Sequence, residues 1–344
     1  ATLGVNECSL FANGKYFTAN GKAKMLAVQA QGTSAELSAE YPLLLNTGRL
    51  RDQWHTMTRT GLSPRLSSHQ IEPTLTLSKS DAQERHISSG DLVRVRSRYG
   101  ALILKAKIAD EQISGTCFAP IHWNSSNSAH AVVSALSSGA FDAISGQPEL
   151  KAAAINVEKA SMAWHAFLLS QSICDVKALS YHTRARADHC YRYELAHDEL
   201  PNDWTSFAKS LVGAQEEDEW LEFVEPISGF YRAMQLRHGK LMAAFVVSTQ
   251  GALPEREWLS QVFAQPIDAR LRLSLLAGRP AKPSEDVGRI VCSCFRVGEK
   301  TLSRSITRGC DSVQALGVET RAGTNCGSCI PELRVLLNSA LEKA

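Results

Sequence analysis

No apolar run in this 344-residue chain approaches the roughly 20 residues a helix needs to cross a bilayer, so no membrane-spanning role is expected. The opening stretch ATLGVNECSL has no basic region followed by an apolar one, so no secretory signal is read there. Charge of one sign is also scarce. The 37 Lys and Arg against 35 Asp and Glu leave a net charge of +2, which gives no footprint for a polyanion and argues against nucleic acid. Between residues 161 and 285 no Gly-x-Gly-x-x-Gly run follows a strand, so that stretch is not read as holding FAD or NAD. A disulfide scaffold is missing too. Of nine cysteines, five lie between Cys292 and Cys329, while Cys8, Cys117, Cys174 and Cys190 are scattered and read as buried or spare thiols. A reduced, cytoplasmic setting with one local metal site is expected.

What is present describes an ordinary globular protein, 44% hydrophobic and 21% charged, long enough for two or three domains. The chain starts at Ala1 rather than Met, and a fragment or processed piece of something larger is expected.

The most informative stretch is YPLLLNTGRLRDQWHTMTRTG, residues 41–61. Leu43, Leu44 and Leu45 read as a buried strand, ending in a turn at Asn46-Thr47-Gly48. Arg49, Arg51, His55 and Arg59 then crowd together with the hydroxyls of Thr47, Thr56, Thr58 and Thr60. Guanidinium forks and hydroxyls on a loop after a strand suit a ligand rich in phosphate oxygens. The plainer reading is a solvated basic loop. Trp54-His55 and the Gly-hydroxyl-Arg order tip the balance toward a ligand.

The segment TGRLRDQWHTMTRTG resembles the pterin-binding signature in the C-terminal domain of molybdopterin oxidoreductases, and its wording is closest to the bacterial assimilatory nitrate reductases. In that family the loop contacts a bis(molybdopterin guanine dinucleotide) cofactor. The resemblance therefore implies that Thr47, Gly48, Arg49, His55, Thr56 and Thr58 touch pterin or phosphate. It also implies that the loop from Asn124 to Asn127 faces the cofactor and that Lys151 reaches a pterin; by itself Lys151 would be a surface lysine. His122 reads equally well as a packed histidine beside Trp123 and as a functional one.

Along the chain, residues 1–40 are expected to be a lead-in from a preceding domain, with turns at Asn13-Gly14 and Asn20-Gly21. Residues 41–160 alternate at period two in several short runs, among them Thr74–Leu77, Leu92–Arg96 and Leu102–Ile108. Ser80 is expected to cap a short helix between the first two. Pattern alone gives an all-β domain, and many strands with short turns suggest a closed barrel; the resemblance implies a double-psi β-barrel. Residues 161–285 read as an α+β module and linker, with a hairpin tipped by Gly239 and helices from Pro254 and Asp268. An interface or spacer module without chemistry of its own is the favoured reading there.

Residues 286–344 hold Cys292-x-Cys294 and Cys326-x-x-Cys329, pairs sized for two thiolates on one centre. Helices over Val297–Arg308, Val313–Leu316 and from Pro331 to Leu341 surround them, making a small all-α domain with both cysteine pairs at helix N-termini. Spacing leaves zinc and a [2Fe–2S] cluster both open. VCSCFRVGEKTL with TNCGSC resembles the bacterioferritin-associated ferredoxin-like domain, which holds [2Fe–2S] through these four cysteines, and which occurs attached to some assimilatory nitrate and nitrite reductases.

Together the resemblances imply a multidomain portion of a molybdenum nitrate reductase, turning nitrate into nitrite with electrons from ferredoxin, flavodoxin or an NAD(P)H-linked reductase. A [4Fe–4S] domain and the molybdenum ligand have no counterpart in this sequence, so the chain alone is expected to be incomplete for catalysis. A phosphoryl-ligand or protein-binding module with structural zinc, or part of a formate dehydrogenase, are the alternatives.

Overall fold

A computed structural model of the chain describes residues 10–27, 29, 32–129, 132–250, 253–254, 256–280 and 286–341; Cys8 and the linker at 281–285 lie outside them. Ala1–Thr33 and Ser34–Ala344 form separate units. In the first, Gly14 and Gly21 take φ of 67° and 66°, and their N–H groups donate to the carbonyls of Phe11 and Thr18.

The second unit opens with six strands that close on themselves. β1 (Leu43–Gly48), β2 (Thr74–Leu77), β3 (Leu92–Arg96), β4 (Ala101–Ile108), β5 (Thr116–Pro120) and β6 (Ala153–Lys159) pair in the order β1-β5-β2-β4-β3-β6. The β1–β5 and β2–β4 pairs are parallel and the others antiparallel. Closure removes every free edge. Period-two alternation sends Leu43, Leu45, Leu75, Leu77, Val93 and Val95 into one core, where each buried aliphatic contributes about 1.5–3 kcal/mol.

Two local expectations need correction. Asn46, Thr47 and Gly48 are not a turn; they continue β1, pairing with Phe118, Ala119 and Pro120. Gly48 is there because a Cβ would sit 2.8 Å from Cε2 of Phe118. The first connection then carries α1 (Pro64–Ser67), and α2 (Lys79–Glu84) is capped by Ser78 rather than Ser80, the Ser78 hydroxyl accepting from the Asp81 N–H.

The middle module is an antiparallel sheet of β7 (Trp164–Ser170), β8 (Tyr181–Arg186), β9 (Tyr191–His197), β10 (Glu219–Glu225), β11 (Phe230–Arg237) and β12 (Lys240–Ser248), in the order β10-β11-β12-β7-β9-β8. Trp164, Ala166 and Leu168 join a core with Trp204 and Phe207 of α3 (Trp204–Val212). Phe167 and Leu169 face the other way, toward residues of α4 (Glu257–Val262) and α5 (Ala269–Ala277). The hairpin turns at His238-Gly239 as expected, and α5 is capped by Asp268; α4 starts at Glu257, later than Pro254.

The cysteine-rich end comprises β13 (Ile290–Cys292), β14 (Val297–Gly298), α6 (Glu299–Thr307), α7 (Val313–Thr320) and α8 (Ile330–Leu341). It is therefore not all-α. β13 and β14 form a two-stranded antiparallel ladder around a turn in which Arg296 takes φ 53°, and β-branched Val291 and Val297 on either side favour that pairing. Cys292 lies on a strand; only Cys326 and Cys329 lead directly into a helix. Among the described residues every cysteine is free, and no helix is long and apolar enough to cross a membrane.

Candidate cofactor cleft and metal centre

The arginine-rich loop after β1 is held by a histidine. His122 is fully buried, its Nδ1–H donates to the His55 carbonyl at 2.6 Å, and its Nε2 accepts the Leu50 N–H at 2.8 Å. Both bonds need the neutral Nδ1–H tautomer, because a carbonyl can only accept and an amide N–H can only donate. The clamp holds a strained path: His55 and Met57 take left-handed φ of 49° and 62°. Asn124 Nδ2 supports the same segment by donating to the Thr56 carbonyl at 2.9 Å. His122 is thus packed, and organises the loop.

Burial pulls the His122 pKa below its ordinary value, outweighing the His55 carbonyl, which favours the charged ring. The unfolded chain therefore takes a proton first as pH falls. The clamp contributes its full stability above about pH 6.5 and loses it toward the lower folded value. Thermal melts should show the wild type losing its advantage over His122→Asn as pH falls below about 6.5. A constant difference across that range would exclude the clamp as the titrating element.

Beside the loop lies a cleft of about 390 Å³, lined by Thr56, Thr58, Trp123, Asn124, Ser126 and Asn127 on the barrel side and by Arg184, Arg186 and Tyr191 from β8 and β9. Its volume is in the usual range for ligand sites, about 300–1,000 Å³. Among the described residues, its only charged lining groups are the two guanidiniums; the rest are hydroxyls, amides and apolar groups. Such a wall suits a phosphorylated anion. The edge of β8 is zipped to the Asn124–Ser128 loop: Arg184 N donates to the Asn127 carbonyl at 2.7 Å, and Arg184 Nη2 donates to the Ser126 carbonyl at 2.8 Å. Arg184 and Arg186 both stack on Tyr191, at 5.7 and 5.3 Å from its ring centre. The sequence reading of this module as an interface or spacer without chemistry of its own missed these residues. The available signal was the cationic-aromatic run Arg184-Ala-Arg186…Tyr191-Arg192-Tyr193.

The four paired cysteines converge from two segments, but across the motifs. Cys294 Sγ lies 3.4 Å from Cys326 Sγ. Cys329, pushed up to about 11 by burial, also feels the Cys292 thiol. Cys326 is held below the usual thiol range by hydrogen bonds from Ser328. Among the described residues no group of three or more His, Cys, Asp or Glu gathers where one ion could be held. Two thiol pairs are the ligand set of a two-iron cluster, which takes two thiolates on each iron.

Two family models match the chain, the Molydopterin dinucleotide binding domain over residues 43–154 and the BFD-like [2Fe-2S] binding domain over residues 290–339. The chain contains both domains. A nitrate reductase of Klebsiella oxytoca is 38% identical over 326 residues, which make up 94% of this chain and 37% of that protein. The F420-dependent formate dehydrogenase subunit alpha of Methanocaldococcus jannaschii is 32% identical over 145 residues, 42% of this chain and 21% of its own length. The nitrite reductase (NADH) large subunit of Escherichia coli is 45% identical over 67 residues, 18% of this chain and 8% of its own. The chain spans less than two fifths of the length of each of these relatives.

Within the dinucleotide-binding domain, the residues expected at the cofactor fall in four places. Thr56, Thr58 and Asn127 share the cleft. Thr47 and Lys151 are tied to each other instead: the buried Thr47 hydroxyl donates to the Leu150 carbonyl at 2.5 Å and the Lys151 ammonium to the Thr47 carbonyl. Gly48 lies against Phe118. Arg49 stacks over the exposed Trp54 at 5.1 Å, and the His55 ring meets Trp54 edge-on at 4.7 Å.

Arg51 and Asp52, in the same loop, turn away from this group toward the [2Fe–2S] domain. Asp52 accepts from Arg51 Nη2 at 2.8 Å and from the Ser293 hydroxyl at 2.7 Å, with His69 Nδ1 at 3.3 Å. Arg51 also reaches the Val291 carbonyl at 2.9 Å and Glu332 of α8 at 2.5 Å. Burial would raise the Asp52 carboxyl, but the hydrogen bonds from Arg51 and Ser293 hold it below the usual carboxylate range.

Proposed function

We propose that this chain is part of a molybdenum-dependent assimilatory nitrate reductase, supplying one wall of a bis(molybdopterin guanine dinucleotide) site and the [2Fe–2S] domain through which electrons arrive. The carrying observation is that one unit presents both an anion-suited cleft and a four-thiol site, in a chain similar along 94% of its length to a nitrate reductase. Similarity to the formate dehydrogenase subunit covers only 42%, which favours the nitrate reading. The parallel β1–β5 and β2–β4 pairs support a double-psi form of the barrel.

In this reading Thr56, Thr58 and Asn127 bind the dinucleotide by hydrogen bonds, and Arg184 and Arg186 offset its phosphate charge. Thr47, Gly48, Arg49, His55 and Lys151 border the same loop and orient the pterin. His122 fixes the path of that loop. The molybdenum cofactor supplies the two-electron oxygen-atom chemistry on nitrate, and this chain supplies position and electrostatics. Cys292, Cys294, Cys326 and Cys329 hold the cluster, and ferredoxin, flavodoxin or an NAD(P)H-linked reductase is the electron donor, in the cytoplasm.

Anaerobic purification followed by metal analysis and EPR tests the redox half of this reading. About two irons per chain and a signal appearing on dithionite reduction are expected. One zinc and a featureless spectrum would instead assign the domain a structural role. Turnover of formate and not nitrate by the molybdenum-loaded parent would overturn the substrate.

A further inference from the structure

We propose that Arg51 and Asp52 are positioning residues that lock the [2Fe–2S] domain onto the cofactor loop and set the reduction potential of the cluster. The inference rests on the cluster reading of the four cysteines given above. Its basis is where the loop spends its polar groups. Between Arg49 and the clamped His55, the chain turns two charged side chains onto another domain, and their contacts there fall beside a cysteine or one helical turn after one. Val291, whose carbonyl accepts from Arg51, precedes Cys292. Ser293, whose hydroxyl donates to Asp52, lies between Cys292 and Cys294. The Cys294 carbonyl itself accepts from Arg65 of α1 at 3.2 Å. Glu332, paired with Arg51 at 2.5 Å and Arg289 at 3.0 Å, stands in the first turn of α8 just after Cys329.

The geometry is that of a built joint. Only 6% of the Asp52 side chain and 18% of that of Arg51 are exposed, so these bonds are shielded from solvent and salt. A carboxylate with one arginine, one hydroxyl and one imidazole around it is nearly saturated, and removing the arginine leaves its buried charge uncompensated. The arrangement also has an electrostatic consequence. One-electron reduction of a [2Fe–2S] centre by an external low-potential donor places one more negative charge beside the Arg51 guanidinium. A nearby cation favours that reduced form and raises the potential. The same loop then continues into Thr56 and Thr58 at the cleft. Rigid joining at this point keeps the cluster at one distance from the cofactor site.

The test uses the full chain, purified anaerobically, with Arg51→Gln, Arg51→Lys and Asp52→Asn variants. Hydrogen exchange is followed in peptides covering residues 49–56 and 289–297, and the cluster potential by EPR during dithionite titration. Arg51→Gln should speed exchange at 289–297 roughly tenfold or more, the equivalent of losing one charge-assisted hydrogen bond of about 1.4 kcal/mol. It should also move the midpoint to more negative values, while Arg51→Lys keeps the midpoint near wild type because it keeps the charge. Asp52→Asn, which preserves shape, should free the same peptides. If Arg51→Gln leaves either exchange or midpoint unmoved in an iron-loaded chain, the inference is overturned. If the wild type holds no iron, the cluster reading fails first, and metal analysis reveals that before any variant is made.

Discussion

Exchanging Cys292 for serine should empty the small domain of iron and abolish its EPR signal. A serine hydroxyl stays protonated near neutral pH and is a poor ligand for iron where a thiolate is required. The position tolerates little adjustment. Cys292 is 3% exposed, on a strand paired to Val297, and in the same buried cluster as Val291, Leu302, Leu316 and Leu333. Cys326, exposed and hydrogen-bonded by Ser328, should be the more forgiving site, with Cys326→Ser keeping a larger residue of iron. The contrast is checked by iron per chain in both variants, with circular dichroism to confirm that the folds survive. Cys310 provides the control: its thiol contacts Glu319 at 2.9 Å and neither thiol pair, so Cys310→Ser should leave iron content unchanged. Equal loss in all three would mean that the serine variants damage folding and not ligation.

How much of this was readable beforehand depends on the range of the interaction that decides each element. β2, β3, β4 and the β11–β12 hairpin follow from alternation and turn residues, which act over a few positions, and the sequence places them nearly where they occur. Asn46-Thr47-Gly48 looks like a turn by composition, yet parallel pairing with Phe118–Pro120, some 70 residues away, extends the strand through it. Tertiary pairing overrode local propensity there. The start of α6 failed for a related reason: Val297 and Gly298 are claimed by the ladder to β13 before a helix can begin.

The candidate site divides in the same way. Thr56, Thr58 and Asn127 were legible because a long motif and a polar loop advertise them. Arg184 and Arg186 were not, since nothing local distinguishes a cation on an edge strand that borders a cleft from one that borders water. Arg51 carries the sharper lesson. In sequence it belongs with Arg49 as one more cation for the cofactor, and only the fold shows its guanidinium committed to Asp52, Glu332 and a carbonyl beside Cys292.

Gly298→Ala should unfold the small domain while sparing the barrel. Gly298 has φ −91°, which any residue can adopt, so backbone freedom does not explain the glycine. Space does. A Cβ would lie 2.0 Å from the Val287 carbonyl oxygen and 2.6 Å from its carbon, and main chain cannot swing aside as a side chain can. The contact is fixed from both directions, because Glu299 N donates to the Arg289 carbonyl at 2.8 Å and Lys300 N to that of Val287 at 3.0 Å. Relieving the overlap means breaking these bonds, which also tie the start of α6 to the strand that carries Cys292. Overpacking of this kind costs about 1–3 kcal/mol where side chains can yield, and more where they cannot. A domain of this size has only a few kcal/mol to lose. Gly309 is the matched comparison: φ 109° strains any replacement there, but no atom lies within 4 Å, so Gly309→Asn should be the milder change. Hydrogen exchange resolved by domain decides the matter. Fast exchange over residues 290–339 with protected β1 to β6 in Gly298→Ala is the expected pattern, and unchanged protection over 290–339 would show that the Val287 segment moves away freely.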